Sequence, residues 1–334
     1  MRVLLTGVTG LLGIHIAGEL IRQGYEVKAL YRSLPQRIDR LPWFKKVDWV
    51  KAAITDPVSV EGTMSDCQAV IHAAARTDPY PTHLSAYYEA NIASTEYILS
   101  AVRKWNIERL VYVSTASVFR PGTLEQPATE ESPYAFNLMD SGYIASKYEA
   151  QQRISEAVQE GVNAVVVNPT FMLGPYDFKP SSGAVIRYAM QNRVIFYPGS
   201  GGKSFIDVRD AARATVNALT LGKPGESYLL ANENLPYDQF FPMLARLTGK
   251  SPIELPIPAS LIRLAGGICS VGEWLFRQSL PLNRINATLL TQDNYYSGVK
   301  ARTELKMPVS PVQQAIVDAM GWFKEGFESY PGSI

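Results

Sequence analysis

The stretch TGVTGLLG, from Thr6 to Gly13, constrains the fold more than any other part of the chain. A short apolar run, Val3 to Leu5, leads into three glycines at three-residue spacing, Gly7, Gly10 and Gly13. An amphipathic stretch follows. The setting is strand, tight turn, helix. Gly7 permits the turn, Gly10 lets the backbone approach a pyrophosphate, and Gly13 allows helix to pack closely on strand. Amide groups at the helix start, aided by the helix dipole, favour a phosphate. Thr9, Leu11 and Leu12 belong to the same turn and are expected to line the phosphates.

The rest of the first half repeats this alternation. RVLLT precedes a helix from about Leu11 to Arg22 that is ended by Gly24, and EVKALY and AVIHAAA follow as strands. A long helical pattern runs from about Leu84 to Trp105. RLVYVST, a helix from about Ser141 to Glu160, and NAVVVNP complete the series. Apolar strands alternating with helices imply an α/β fold, a Rossmann-type doubly wound parallel sheet covered on both faces. After Pro169 the pattern loosens, then FIDVRDAARATVNAL and SYLLA read as a return to the sheet layer. The expected division is residues 1–170 as the nucleotide-binding half, with 205–232 returning to it. Residues 171–204 and 233–334 then form a smaller, mostly C-terminal α+β substrate lobe.

Composition excludes several classes. Lys and Arg number 32 against 31 Asp and Glu, which gives no electrostatic footprint for nucleic acid. Cys67 and Cys269 stand far apart with no CxxC partner, so neither a disulfide framework nor a metal site is expected. A strand starting at Arg2 leaves no room for a leader ahead of the fold, and the expected setting is the reducing cytoplasm. The most apolar late stretch, Leu255 to Phe276, carries Arg263, Glu273 and two early prolines. Its uninterrupted apolar run falls short of the ~20 residues of a membrane span. A core or pocket helix is the expectation there, ahead of a membrane-surface helix.

The GxxGxxG spacing of TGVTGLLG resembles the fingerprint of the extended short-chain dehydrogenases/reductases, which include nucleotide-sugar epimerases, dehydratases and dihydroflavonol-reductase-like enzymes. The resemblance covers nearly the whole chain. In that family the cofactor ribose meets the end of the second strand, here EVKALYRS. Tyr31 stands where NAD-preferring relatives usually place an aspartate, and Arg32 and Ser33 follow. A carboxylate would hold the ribose 2′-hydroxyl and repel a 2′-phosphate; an arginine plane and a serine hydroxyl do the opposite. The expected cofactor is therefore NADP(H) rather than NAD(H), with Arg37 or Arg40 available to the same pocket. The resemblance implies further cofactor contacts at Ile54, Ala73, Ala74, Ala75, Pro169 and Phe171. Ala53 replaces an aspartate that many relatives use for the adenine.

YIASK places Tyr143 and Lys147 four residues apart on one helical face. A tyrosine titrates near ~10 and needs a nearby cation to serve as a proton shuttle at neutral pH. Lys147 is expected to lower its pKa and to hold the nicotinamide ribose. Aligning VYVSTASVF with the family puts Thr115 on the hydroxyl position of the catalytic triad, with Ser114 as the competing residue. Asn91 matches the helix asparagine that braces the neighbouring loop. The implied reaction is hydride transfer to a carbonyl, with Tyr143 as general acid and Thr115 orienting the oxygen.

The expected substrate is a small carbonyl compound or its alcohol, aromatic or alicyclic, against walls built from Tyr80, Thr115, Ala116, Phe119, Tyr134, Met172 and Tyr176, with Phe171 beside them. NPTFMLGP looks more like dihydroflavonol-reductase relatives than sugar epimerases. An epimerase or dehydratase, with Lys203 reaching a phosphate, is the alternative; a non-catalytic NADP(H) sensor is a third reading. A homodimer through the helices bearing Tyr143 and Tyr87, Tyr88, Ile92, Tyr97, Ile98 and Val102 is also expected.

Overall fold

A computed structural model describes residues 1–78, 80, 83–276, 280 and 282–325; residues 326–334 of the expected lobe lie outside these. The first half runs β1 (Arg2–Thr6), α1 (Leu11–Arg22), β2 (Glu26–Tyr31), β3 (Val47–Lys51), α2 (Pro57–Met64), β4 (Ala69–His72), α3 (Ser94–Lys104), β5 (Arg109–Val113), α4 (Gly142–Gln159) and β6 (Ala164–Pro169). Then come β7 (Phe171–Leu173), α5 (Ala184–Gln191), β8 (Val194–Pro198), β9 (Gly202–Asp207), α6 (Val208–Asn217), β10 (Ser227–Leu230) and β11 (Glu233–Pro236). The chain continues through α7 (Tyr237–Leu247), β12 (Ile253–Ile257), α8 (Ala259–Phe276), α9 (Arg284–Thr291), β13 (Asp293–Asn294), α10 (Val299–Glu304) and α11 (Val312–Glu325).

Seven parallel strands form the main sheet in the order β10-β6-β5-β4-β1-β2-β3. Successive strand residues feed opposite faces. Val3, Leu5, Val111 and Val165 pack under α1 and α6, whereas Leu4, Leu110, Tyr112 and Val166 pack under α2, α3 and α4. Both faces are thus dry, which is why these strands read as continuous apolar runs. The strand order reverses beside β1, where β2 lies on one side and β4 on the other. In such sheets the crevice beyond the strand ends at that point is the usual ligand site.

A second sheet is centred on β9, with β11 antiparallel and β7 and β13 parallel to it. Its core includes Phe205 stacked on Phe240 at 4.2 Å between centroids. A third, two-stranded sheet pairs β8 with β12. The chain passes between the main sheet layer and these smaller sheets at Thr170, at the β9–α6 junction, at residues 231–232, and between β13 and α10. The return to the large sheet layer begins with α6 at Val208, since residues up to Asp207 belong to β9. Helix α10 also packs on β10, with Ala301 and Leu305 in the core of the large sheet.

One long helix of the sequence reading is divided. Leu84–Ala86 is a 3₁₀ turn, Tyr88–Ala93 is a π-helical turn, and only then does α3 begin. Single π turns mark places where a side chain is re-aimed at the expense of regular helix. Most of the apolar face expected to form a dimer is consumed inside the chain: Tyr87, Ile92, Ile98 and Val102 are buried, and only Tyr88 is exposed.

Candidate active site

The glycine turn sits where strand order reverses. Gly7 adopts a left-handed φ of 75°, and a Cβ there would lie 2.6 Å from the Ala73 carbonyl carbon. The turns after β1 and β4 therefore touch backbone to backbone, and glycine is the residue that allows it. A Cβ on Gly13 would lie 2.0 Å from the Gly7 oxygen, so helix and turn are equally close. Gly10, at the N-terminus of α1, is exposed and would meet only the Gly7 oxygen, at 3.4 Å. The turn is an open cradle floored by helix-start amides, and it fits a dinucleotide pyrophosphate. Beneath it, Thr6 Oγ1 accepts from the Ala74 amide at 3.2 Å and pairs with His72 Nδ1 at 2.8 Å. His72 reaches Thr95 on its other side, and burial pushes its pKa down to about 3, so it is neutral at pH 7.

Beyond the end of β2, Arg32 and Ser33 are exposed, while Tyr31 lies edge-on to Trp49 at 6.0 Å. Ile54 lies in the turn after β3, half-buried against the α2–α3 core. Ala73, Ala74 and Ala75 line the half-exposed loop after β4. That loop is held by Asn91, which the π turn aims at it. Asn91 Oδ1 accepts from the Arg76 amide at 2.7 Å, and its Nδ2 donates to the Arg76 carbonyl at 3.0 Å and to Ser146 Oγ at 2.8 Å. One asparagine thus ties the β4 loop to α4.

Thr115, Tyr143 and Lys147 converge at the end of β5. Tyr143 is the second residue of α4, and Lys147 follows one turn later. The Thr115 side chain lies near enough to the Tyr143 phenol to hold its pKa down, while Thr115 Oγ1 accepts from the Ser117 amide at 3.3 Å. Ser114 differs: its hydroxyl is buried and has no hydrogen-bond partner among the described residues. Of the two hydroxyls, then, Thr115 is the one that meets the tyrosine. Its backbone is fixed through Asn168, whose Nδ2 donates to the Thr115 carbonyl and to Gln151 Oε1, each at 3.0 Å. Gln151 stands one turn beyond Lys147 on α4. Asn168 and Gln151 are both buried, and neither was singled out in the sequence because the contact joins β6 to α4 across 17 residues.

Burial dominates the electrostatics of this group. Burial pushes the Tyr143 pKa up, opposed by the neighbouring Thr115 side chain. Lys147 is itself desolvated, and its pKa falls to about 7. Its ammonium donates to the Val113 carbonyl at 2.6 Å and sits 4.4 Å above the Tyr112 ring. The lysine in this arrangement is held by backbone and ring, and it is burial that dominates the tyrosine.

The expected substrate walls divide. Tyr80 is exposed, and Tyr134, Phe171 and Met172 are half-buried. Ala116, Phe119 and Tyr176 are core residues instead. Phe119 stacks on Tyr134 at 5.6 Å, and Tyr176, at a left-handed φ of 65°, packs against His15 and Trp322. Pro169 ends β6, and Phe171 begins β7 with its ring edge-on to Phe205. Lys203 Nζ lies 5.0 Å from the centre of the Phe171 ring, and burial pushes its pKa to about 8.

Known proteins resemble the chain over most of its length. The profile of the NAD dependent epimerase/dehydratase family matches residues 3–231. The chain belongs to that family. A Synechocystis protein named after dihydroflavonol 4-reductase is 32% identical, over 96% of this chain and 93% of its own length. A Stigmatella aurantiaca relative, named as the ketoreductase of a farnesylated dihydroquinoline oxide, is 29% identical over 96% of each chain. Among solved structures, the protein gox2253 superposes with a TM-score of 0.85 at 23% identity, covering 98% of this chain and 99% of its own. The NAD complex of Thermus thermophilus UDP-glucose 4-epimerase superposes with a TM-score of 0.77 at 22% identity, covering 98% and 100%. The family's fold is therefore shared end to end, and the relatives' names include both reductases and epimerases. Among the described residues no cluster of His, Cys, Asp and Glu is arranged to hold a metal, and no helix is long and apolar enough to cross a membrane.

Proposed function

We propose that this chain is an NADP(H)-dependent oxidoreductase that reduces an aromatic or alicyclic ketone or aldehyde to an alcohol. The observation that carries the reading is the convergence of Thr115, Tyr143 and Lys147 at the end of β5, in the sheet that bears the glycine cradle. Gly7, Thr9, Gly10, Leu11, Leu12 and Gly13 hold the pyrophosphate, and Arg32 and Ser33 hold the 2′-phosphate. When bound, the dinucleotide supplies the hydride. Thr115 and Tyr143 together hold the substrate carbonyl oxygen. Tyr143 passes its proton to that oxygen as negative charge develops on it, and Thr115 stabilises the charge through a hydrogen bond already in place. A half-buried tyrosine of raised pKa stays protonated at neutral pH, which suits a general acid better than a base. Lys147, whose pKa burial lowers to about 7, turns from the Val113 carbonyl to the cofactor ribose. Phe171 and Met172, half-buried at the mouth, supply apolar surface for the substrate ring.

The test is Tyr143→Phe, assayed with NADPH against a panel of aromatic ketones and aldehydes beside UDP- and dTDP-sugars. The expected outcome is carbonyl-dependent NADPH oxidation by the parent and a loss of roughly 10²–10⁴-fold in the variant, with NADPH binding kept. Conversion of a nucleotide sugar in place of a carbonyl compound overturns the reading in favour of an epimerase.

A further inference from the structure

Six exposed large apolar side chains come from β8 and the consecutive elements β12 and α8. Phe196, Ile253 and Leu255 lie on β8 and β12, and Leu261, Leu264 and Ile268 lie on α8. In the β8–β12 ladder Leu255 pairs with Phe196 and Ile253 with Val194. The alternate β8 residues Ile195 and Tyr197 point into the core with Phe241, so the Phe196 side is the outer one. Helix α8 follows directly. It is anchored by Gly266, where a Cβ would lie 2.5 Å from the Ala287 Cβ, and by Arg263, whose Nε donates to Thr291 Oγ1 at 2.9 Å. Leu261, Leu264 and Ile268 recur at the spacing of one helical stripe, and they are 55%, 62% and 65% exposed. On these residues the expectation of a core or pocket helix is overturned. A surface helix of a globular protein normally turns such a stripe inward.

Charge indicates what meets this face. Residues 246–284 carry five Lys and Arg (Arg246, Lys250, Arg263, Arg277, Arg284) against two acids (Glu254, Glu273), in a chain whose charges otherwise nearly cancel. Arg246, Lys250, Arg263 and Arg284 are exposed, as is Arg193, whose carbonyl receives the Ile253 amide. An apolar stripe and a basic excess in the same segment are together the two signals that hold a peripheral protein on an anionic bilayer. We propose that β12 and α8 form a docking surface for an anionic membrane, with Leu261, Leu264 and Ile268 entering the headgroup–acyl boundary.

The experiment is co-sedimentation of the full chain with vesicles of equal parts phosphatidylcholine and phosphatidylglycerol, against vesicles of phosphatidylcholine alone. The expected result is binding to the anionic vesicles that weakens several-fold at high salt and drops about tenfold or more in Leu264→Gln/Ile268→Gln. Leu261→Gln gives a smaller drop. NADPH binding and the thermal midpoint, unchanged in the variants, show that they fold. Protein left in the supernatant with anionic vesicles overturns the proposal, as does equal binding to both vesicle types. Light scattering that shows a dimer broken by the same substitutions, without vesicle binding, assigns the face to a second copy instead and likewise overturns it.

Discussion

The two ends of the site are built in different ways. At the end proposed to hold the nucleotide, the site is built of backbone: a turn that leaves no room for a Cβ at Gly7 or Gly13, amides at a helix start, and strand ends brought together by a parallel sheet. At the substrate end it rests on side chains, several of which merely pack. Phe119 and Tyr176 have the chemistry of pocket walls but sit in the core, while Phe171 and Met172 keep accessible surface. A backbone-built site tolerates few substitutions and accepts one kind of ligand. A side-chain-built site can be altered without loss of the fold, and one family accordingly hosts reductases and epimerases.

The comparison can be broken at several points. At the hydroxyl pair, Thr115→Val is expected to lower turnover by about 10²–10³-fold, whereas Ser114→Ala changes it by less than about threefold. Steady-state kinetics on the two variants decides between them, and the reverse ranking would move the oxyanion contact to Ser114. In the lobe, Phe119→Ala is expected to destabilise the chain by about 3–5 kcal/mol in urea titration, since it empties a packed position. Met172→Ala should change KM across a substrate panel with little effect on the unfolding midpoint. At the ribose, Arg32→Ala should weaken NADPH about 10–100-fold and leave NADH nearly unchanged, the scale of one charge-assisted contact. Equal losses for both cofactors in a binding titration would remove the 2′-phosphate assignment.

The smallest effect is on pH. His15 and His72 are buried with pKa values pushed down to about 4 and about 3. In the unfolded chain each takes a proton near ~6.5, before the folded chain does. Their contribution is therefore complete above that value and is lost as pH falls from about 6.5 toward the folded values, by up to roughly 1.4 kcal/mol per pH unit for each histidine. Urea midpoints at neutral and mildly acidic pH should show the loss, and His15→Gln should flatten its slope.

Much of the nucleotide end was legible because its signals are local. Three glycines, a strand and a helix lie within twenty residues, and YIASK carries its geometry in the four-residue spacing itself. Thr115 and Ser114 are adjacent, so sequence could only rank them; in the structure the Thr115 side chain lies near Tyr143, while the buried Ser114 hydroxyl has no partner among the described residues. What escaped detection is non-local. The Thr6–His72 pair joins strands 66 residues apart, and Asn91 works only because a π turn interrupts an otherwise regular helical pattern. The lobe was least legible, because an apolar residue such as Phe119 reads the same whether it faces a ligand or a neighbour. The stripe on α8 was visible as apolar sequence, yet its outward orientation depends on Gly266 fixing the opposite flank.

The repeated passage of the chain between its layers has an engineering consequence. Strand β10 closes the edge of the large sheet, and β11 joins the lobe two residues later. A transplant of this lobe onto another nucleotide half is therefore not a single splice. It needs matched junctions near Thr170, Asp207, Ala231 and Ser297, and a mismatch at any one would leave a sheet edge open. Recombination at one breakpoint, the usual way of shuffling modules, is expected to yield misfolded hybrids here. New substrate preferences are more readily reached by point changes at the lobe's half-buried surface.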